Sequence, residues 1–417
     1  MKRILLTSAV VVLSAGVMVA VALYFPNSLP TDSDFGAVYN ASVALVRRVP
    51  IYDVPAVTAV AAENAGVPVD KFFLAPFPYP PWYSLSTFYL GWFPIQSAAT
   101  LWFELNLTML FLSVWFLTDG WSGRLRLIAF PLGLFFLPVI GAIAIGQNVF
   151  PVLLGGAMLV YSLRKENVAL TTLGAVLITF KPHIGALMAL SVLVYLIASR
   201  NRLALPKEHR DDVSSIEGFG RRALRSILFA GVFVFVTGFI TDPAWHIRYP
   251  NMLLGLTSEN YGSGSDASLC VKCASLPVWL SRWVFDGSLT TAAIIALAVL
   301  IALFVLFFPV RTSFLKHPDL LLNSALLATL LASPYLFNYD FIFLLMPFAV
   351  LATGKSRLIE KILVIVCYLA PTFAIALYDR AGNISLLIVT IILTALVLVR
   401  AKSKVDVPTL TAYNTNN

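Results

Sequence analysis

The chain has 417 residues, of which 59% are hydrophobic and only 12% charged, and its mean hydropathy is +0.86. Soluble proteins carry about a quarter charged residues, and no aqueous core of this size hides so much apolar surface. That excludes a water-soluble globular protein and implies an all-α polytopic integral membrane protein, read as one multi-pass domain over residues 1–417. The net charge of +8 raises nucleic acid as a partner, but the placement of the cations argues against it.

In chain order, MKRILL has the charged start of a signal peptide. The apolar stretch behind it runs into TDSD with no small-residue cleavage site beside it, so it reads as a retained first transmembrane helix. A crossing needs about 20 apolar residues, fewer where neighbouring helices shield the ends. Candidate spans lie at 4–25, 97–117, 127–145, 149–163, 167–181, 184–199, 224–241, 289–309, 319–334, 338–353, 359–377 and 383–399, about twelve in all. With a cytoplasmic N-terminus, 21 of the 29 Lys and Arg fall inside and 8 outside. That asymmetry is what the positive-inside rule requires. Both termini are then cytoplasmic, as are the basic 200–223 loop and the 400–417 tail. The long first and second outer loops, 26–96 and 242–288, face the other side. Treating WYSLSTFYLGWF (82–93) as a span would reverse this balance. It reads instead as an interfacial or re-entrant segment whose Trp82, Tyr83, Tyr89 and Trp92 suit the headgroup layer.

The outer loops hold the information. In FGAVYNASVALVRRV, Phe35, Val38, Ser42, Leu45 and Val49 recur at helical spacing, which predicts an amphipathic helix. Asp34 at its start reads first as a helix cap. That explains one acid of TDSD and leaves Asp32 without a role. Pro78, Pro80 and Pro81 forbid a regular helix and predict a rigid, extended approach to the interfacial segment. Three short outer turns carry polar groups: Gly146-Gln147-Asn148, Lys181-Pro182-His183 and Ser333 to Asp340. Polar groups at membrane depth are costly and mark a pathway or a site. For Lys181 a snorkelling side chain and a phosphate ligand stay equally open. Cys270 and Cys273, in LCVKC, read as an outer-face disulfide ahead of a metal pair or free thiols.

Five stretches in order, TDSDFGAVYNASVALVRRVPIYD, FPYPPWYSL, GQNVFPVLLGG, LITFKPHIG and LASPYLFNYDF, resemble glycosyltransferase family 87, polytopic enzymes of the GT-C class. The resemblance implies a GT-C-like helical bundle in the plasma membrane with its active site on the outer, periplasmic face. It implies transfer of a sugar, mannose or another hexose, from a polyprenyl-phosphate donor to a lipid or glycan acceptor, with membrane lipids and no nucleic acid as further partners. In this class an acidic residue of the first outer loop acts as general base. The D-F-x-x-Y match points to Asp34, with Asp32 beside it. Substrate contacts are expected from Tyr39, Arg47, Arg48, Tyr52, Tyr79, Gln147, Asn148, Lys181, His183, Asn338, Tyr339 and Asp340. The chain departs from the family where a Trp-Asp-His-like turn is replaced by Phe337-Asn338-Tyr339.

Inverting transfer needs one base for the acceptor hydroxyl, while a phosphate leaves as an anion without a protein acid. Arg47, Arg48, Lys181, His183, Arg248 and Arg282 are the outer-face cationic candidates for that phosphate. No metal site is read from the sequence; a divalent cation at Asp32 and Asp34 stays open, with no further ligand cluster to support it. No glycine-rich phosphate loop follows a strand, which disfavours a nucleotide-sugar enzyme of Rossmann type. The rival reading is a transporter or flippase, for which twelve spans would serve. It lacks acids deep within spans, Glu104 being the clearest, and it lacks a repeated half.

Overall fold

A computed structural model describes residues 33–75, 77–200, 213–259, 275–285, 289–307, 311–333, 335–352, 357–376 and 380–402. The first span at 4–25, Asp32, Cys270 and Cys273 lie outside the described residues. All regular structure among the described residues is helical.

The chain begins with α1 (Asp34–Val46) and α2 (Val54–Ala65). Next come α3 (Pro81–Thr87) and a 3-10 turn at Phe88–Trp92. The bundle proper follows with α4 (Ile95–Leu117), α5 (Gly123–Leu134), α6 (Leu137–Ala144), α7 (Val149–Lys165), α8 (Val168–Ile178), α9 (Pro182–Arg200) and α10 (Val213–Thr241). Then α11 (Trp245–Glu259) and α12 (Leu276–Val284) precede α13 (Leu289–Phe307), α14 (Arg311–Lys316) and α15 (Pro318–Ala332). A 3-10 turn at Asn338–Leu344 leads into α16 (Leu345–Ala352), α17 (Leu358–Ala376) and α18 (Arg380–Lys402). Among the described residues four helices are long and apolar enough to cross a membrane, or five if α5 and α6, bent by 51° at their junction, form one broken span. Shorter apolar helices, including Val168–Ile178 and Pro318–Ala332, fill out the bundle.

The burial pattern explains the excess of apolar residues. Helices α7 and α15 are buried nearly all round and form the centre. Peripheral helices turn large side chains outward: Phe229, Val232, Phe233 and Ile240 on α10, and Ile294, Leu297 and Ile301 on α13. Apolar faces this wide belong against lipid rather than water.

The segment read as the first outer loop differs from its expected form in three ways. Helix α1 is buried on every side from Phe35 to Ala44, so it is enclosed rather than amphipathic. Pro81 opens α3 at its first position, where the missing N–H costs nothing, so a short helix forms despite the prolines. Of the aromatics expected at an interface, Tyr83 is fully buried and Trp82 donates from Nε1 to Thr179 Oγ1 at 3.0 Å. Trp92 is 64% exposed, beside exposed Phe88 and Phe93.

What encloses α1 is the backbone of the segment after α3. Ser42 Oγ donates to Val38 O at 2.8 Å and to Thr87 O at 3.0 Å. Gly91 lies so close to α1 that a Cβ there would stand 2.5 Å from Ser42 O. Gly91→Ala is therefore expected to destabilise the protein by about 1–3 kcal/mol through overpacking. It should lower the unfolding temperature in detergent, whereas Gly141→Ala, with open space at its Cβ, should leave that temperature unchanged or slightly raised.

Candidate active site

The polar site forms where three helix ends meet α1. Gln147 and Asn148 precede α7, Lys181 precedes α9, and Asp340 sits in the 3-10 turn that follows α15. The opposite end of the bundle is basic, with Arg164 and Lys165 closing α7 and Lys165 Nζ 3.5 Å from Asp119 Oδ2.

Asp34 does not cap its helix. Ser33 is the N-cap, without a side-chain cap bond, and Asp34 stands in the first turn. Its Oδ2 instead accepts a hydrogen bond from Gln147 Nε2 at 2.7 Å. Gln147 is aimed by its own turn, because its Oε1 accepts the Asn148 backbone N–H at 3.0 Å and so leaves Nε2 to donate. The turn is fixed in its place by Trp102, whose Nε1 donates to Gly146 O at 2.8 Å, and by the Phe35 N–H on Ile145 O at 3.3 Å. Gly146 takes the left-handed conformation, φ 65°, that this reversal requires.

Lys181 and Asp340 form a buried ion pair through Nζ and Oδ1. The second carboxylate oxygen, Asp340 Oδ2, accepts the Phe337 N–H at 2.9 Å, and Lys181 Nζ lies 4.9 Å from the centroid of the Tyr339 ring. The Lys181 turn is held tightly: a Cβ on Gly185 would stand 2.0 Å from Ile178 O, so only glycine lets α9 start against the end of α8. Trp82 on Thr179 and Tyr83 against Phe180, ring centroids 5.0 Å apart, close it from the side of α3.

Burial pushes the Asp34 carboxyl above the usual carboxylate range. The Lys181 ammonium and the Gln147 hydrogen bond pull it back, and the Asp340 carboxylate adds a further push upward. Tyr79 is raised well above an ordinary phenol, by burial first and by Asp34 second. Its backbone is held by Tyr52, whose hydroxyl donates to Tyr79 O at 2.6 Å. Asn148 and Tyr83 are fully buried, and both Asn148 amide atoms and the Tyr83 hydroxyl lack a hydrogen bond of good geometry among the described residues. His183 stacks edge-on with Tyr335 at 5.6 Å, and its Nε2 is buried without a partner.

The structure thus brings together Asp34, Tyr79, Gln147, Asn148, Lys181, His183, Tyr339 and Asp340, with Tyr52 behind them. Other candidates lie elsewhere. Tyr39 donates to Phe93 O at 2.9 Å and accepts from Asn64 Nδ2 at 3.2 Å. Arg47 is exposed and lies 3.6 Å from Glu63, and exposed Arg48 takes a left-handed φ of 58°. The length of α1 puts both about 20 Å from Asp34. Arg248 is committed to Asp242 at 3.3 Å and approaches Asp53 at 3.9 Å. Asn338 is exposed. Among the described residues no group of three His, Cys, Asp or Glu side chains is arranged to hold a metal ion. Sequence reasoning passed over Tyr83, Tyr335 and Phe337; the i, i+2, i+4 aromatic spacing of YLFNY was the available signal for the last two.

The fold and site together define an all-helical membrane protein with charged groups gathered at one end of its bundle. The sequence profile of glycosyltransferase family 87 matches residues 77–334, more than half of the chain, and the chain belongs to that family. It is a membrane glycosyltransferase, which sets aside the transporter reading. No curated protein matches the chain. The matched span includes Tyr79, Gln147, Asn148, Lys181 and His183; Asp34 and Asp340 lie outside it and meet these residues through the contacts with Gln147 and Lys181.

Removing one member of a buried pair strands the other charge, at a cost of about 3–5 kcal/mol. Lys181→Met and Asp340→Leu should each lower the unfolding temperature in detergent, and the double variant should be more stable than either single one.

Proposed function

We propose that the enzyme moves a sugar, mannose or another hexose, from a polyprenyl-phosphate donor to a lipid or glycan acceptor, with inversion and with Asp34 as general base. The observation that carries this reading is the half-buried Asp34 carboxylate, aimed by Gln147 and set beside the Lys181–Asp340 pair, in a chain of this family. The Asp34 carboxylate takes the acceptor hydroxyl proton as that oxygen bonds to the anomeric carbon. The bond from that carbon to the phosphate oxygen breaks, and the phosphate leaves as an anion. Asp340 occupies one of the three ammonium hydrogens of Lys181, which leaves others for the phosphate. His183, with its buried and unpartnered Nε2, is the second phosphate contact. Asp340 is a positioning residue, since both its oxygens are already bonded to Lys181 and Phe337. Asp32 is assigned no step.

Twelve spans, cytoplasmic termini and a site on the outer face of the plasma membrane complete the proposal. The division of Lys and Arg, 21 inside and 8 outside, supports it. So does the meeting of all three turns read as outer at one end of the bundle.

The reading is tested by assaying purified protein in proteoliposomes with a radiolabelled polyprenyl-phosphate mannose donor and a crude lipid acceptor fraction. Asp34→Asn should lower transfer by at least about a hundredfold, the scale of a lost general base, with the unfolding temperature kept; near-normal turnover would remove Asp34 from its role. Because only the ionised carboxylate accepts a proton, activity should rise with pH through the raised Asp34 value. The Gln147 bond lowers that value, so Gln147→Met should displace the acidic limb of the pH–rate profile to higher pH. Asp340 raises it, so Asp340→Asn should displace the limb to lower pH.

A further inference from the structure

The turn after α15 carries a run of aromatic rings that starts at the charged cluster, where Tyr339 faces Lys181 and Tyr335 meets His183, and leads away from it. Along Tyr335-Leu336-Phe337-Asn338-Tyr339-Asp340, alternate side chains part company. Leu336 and Asp340 are fully buried, whereas Tyr335, Phe337 and Tyr339 are each half-buried. The three half-buried rings touch in series. Phe337 and Tyr339 stack at 5.2 Å with an interplanar angle of 20°, and Tyr335 meets Phe337 edge-on at 5.1 Å. The ribbon begins at Lys181, whose Nζ faces the Tyr339 ring. Its other end rests on the apolar pair Val278 of α12 and Ala292 of α13, against which Tyr335 and Phe337 pack. Those two helices show exposed apolar surface: Trp283, Val284 and Phe285 at the end of α12, each nearly 60% exposed, and Ile294 and Leu297 on α13.

We infer that Tyr339, Phe337 and Tyr335 are the track on which the first isoprene units of the donor lie as its chain runs from Lys181 toward the bilayer. The inference rests on the donor class proposed above and names the residues that recognise its lipid part. A phosphate fixed at Lys181 forces the attached hydrocarbon to leave by an apolar route, because each methylene kept in water costs about 0.8 kcal/mol. The ribbon supplies such a route: it starts beside the only described cation in the cluster and ends at helices with lipid-facing surface. Ring faces bind methyl-branched, unsaturated hydrocarbon through burial and dispersion, with no hydrogen bond required. A sugar would need hydroxyl partners, and Phe337, the middle ring, offers none.

The test measures binding to the full chain in detergent, with undecaprenyl phosphate and methyl phosphate, which has no isoprene unit, as probes. Wild type should prefer the long chain. Phe337→Ala and Tyr335→Ala should each weaken undecaprenyl phosphate about tenfold or more, the loss of an aromatic contact, while changing methyl phosphate less than about twofold. Phe337→Leu, which keeps an apolar surface and guards against misfolding, should restore most of the long-chain affinity. Equal weakening of both probes, or no weakening of either, overturns the track while leaving the donor class standing. Failure of wild type to bind either probe overturns the donor class, and the track with it.

Discussion

Charge buried inside a helical membrane bundle must be paired, and the rest of this structure is arranged around that requirement. A lone carboxylate or ammonium taken out of water costs several kcal/mol, which hydrogen bonds and an opposite charge recover only if their geometry is good. Lys181 and Asp340 meet that condition for each other, with Phe337 N–H and the Tyr339 ring completing their surroundings. Among the described residues Asp34 has no direct counter-ion; it has the Gln147 amide and, beyond it, the field of Lys181. Burial with this partial compensation raises the proton affinity of Asp34, which is the property a general base needs.

Holding these groups together takes close backbone contact, and glycine supplies it at the two junctions that matter. Gly91 lets the segment after α3 lie on α1, and Gly185 lets α9 begin against the last carbonyl of α8. Tryptophans then fasten the turns by their N–H groups, Trp102 on Gly146 and Trp82 on Thr179. The result is a segment ahead of α4 whose α1 is part of the core rather than a cover over it. Its α1 is buried through most of its length, which is how a residue at position 34 comes to touch one at 147.

Much of this was legible in the sequence, for reasons that differ residue by residue. Among the described residues the helices overlap the apolar runs, because length and hydropathy bound where a helix can sit in a bilayer. Only four or five of them are long and apolar enough to cross one, and the 127–145 run breaks into α5 and α6. Gln147, Lys181 and Asp340 stood out because polar residues at such depth demand an explanation. Arg47 and Arg48 attracted the same suspicion and proved to be surface residues, since periodicity locates a helix face but not the distance along the axis to a site. Tyr39 and Asp34 share α1, yet Tyr39 turns to Phe93 and Asn64. The cap expected of Asp34 is absent because Asp34 stands one residue inside the helix, after Ser33, and its carboxylate accepts the Gln147 amide instead.

The sequence by itself determined the class of protein, the apolar runs from which its bundle helices form and the short polar turns that could carry chemistry, because these depend on composition and on contacts between near neighbours. Only the tertiary structure decided that Asp340 neutralises Lys181, that Gln147 aims Asp34, and that Tyr335, Phe337 and Tyr339 line up in contact. Those pairings join residues up to 159 positions apart, and nothing local in the chain sets which buried donor will meet which buried acceptor.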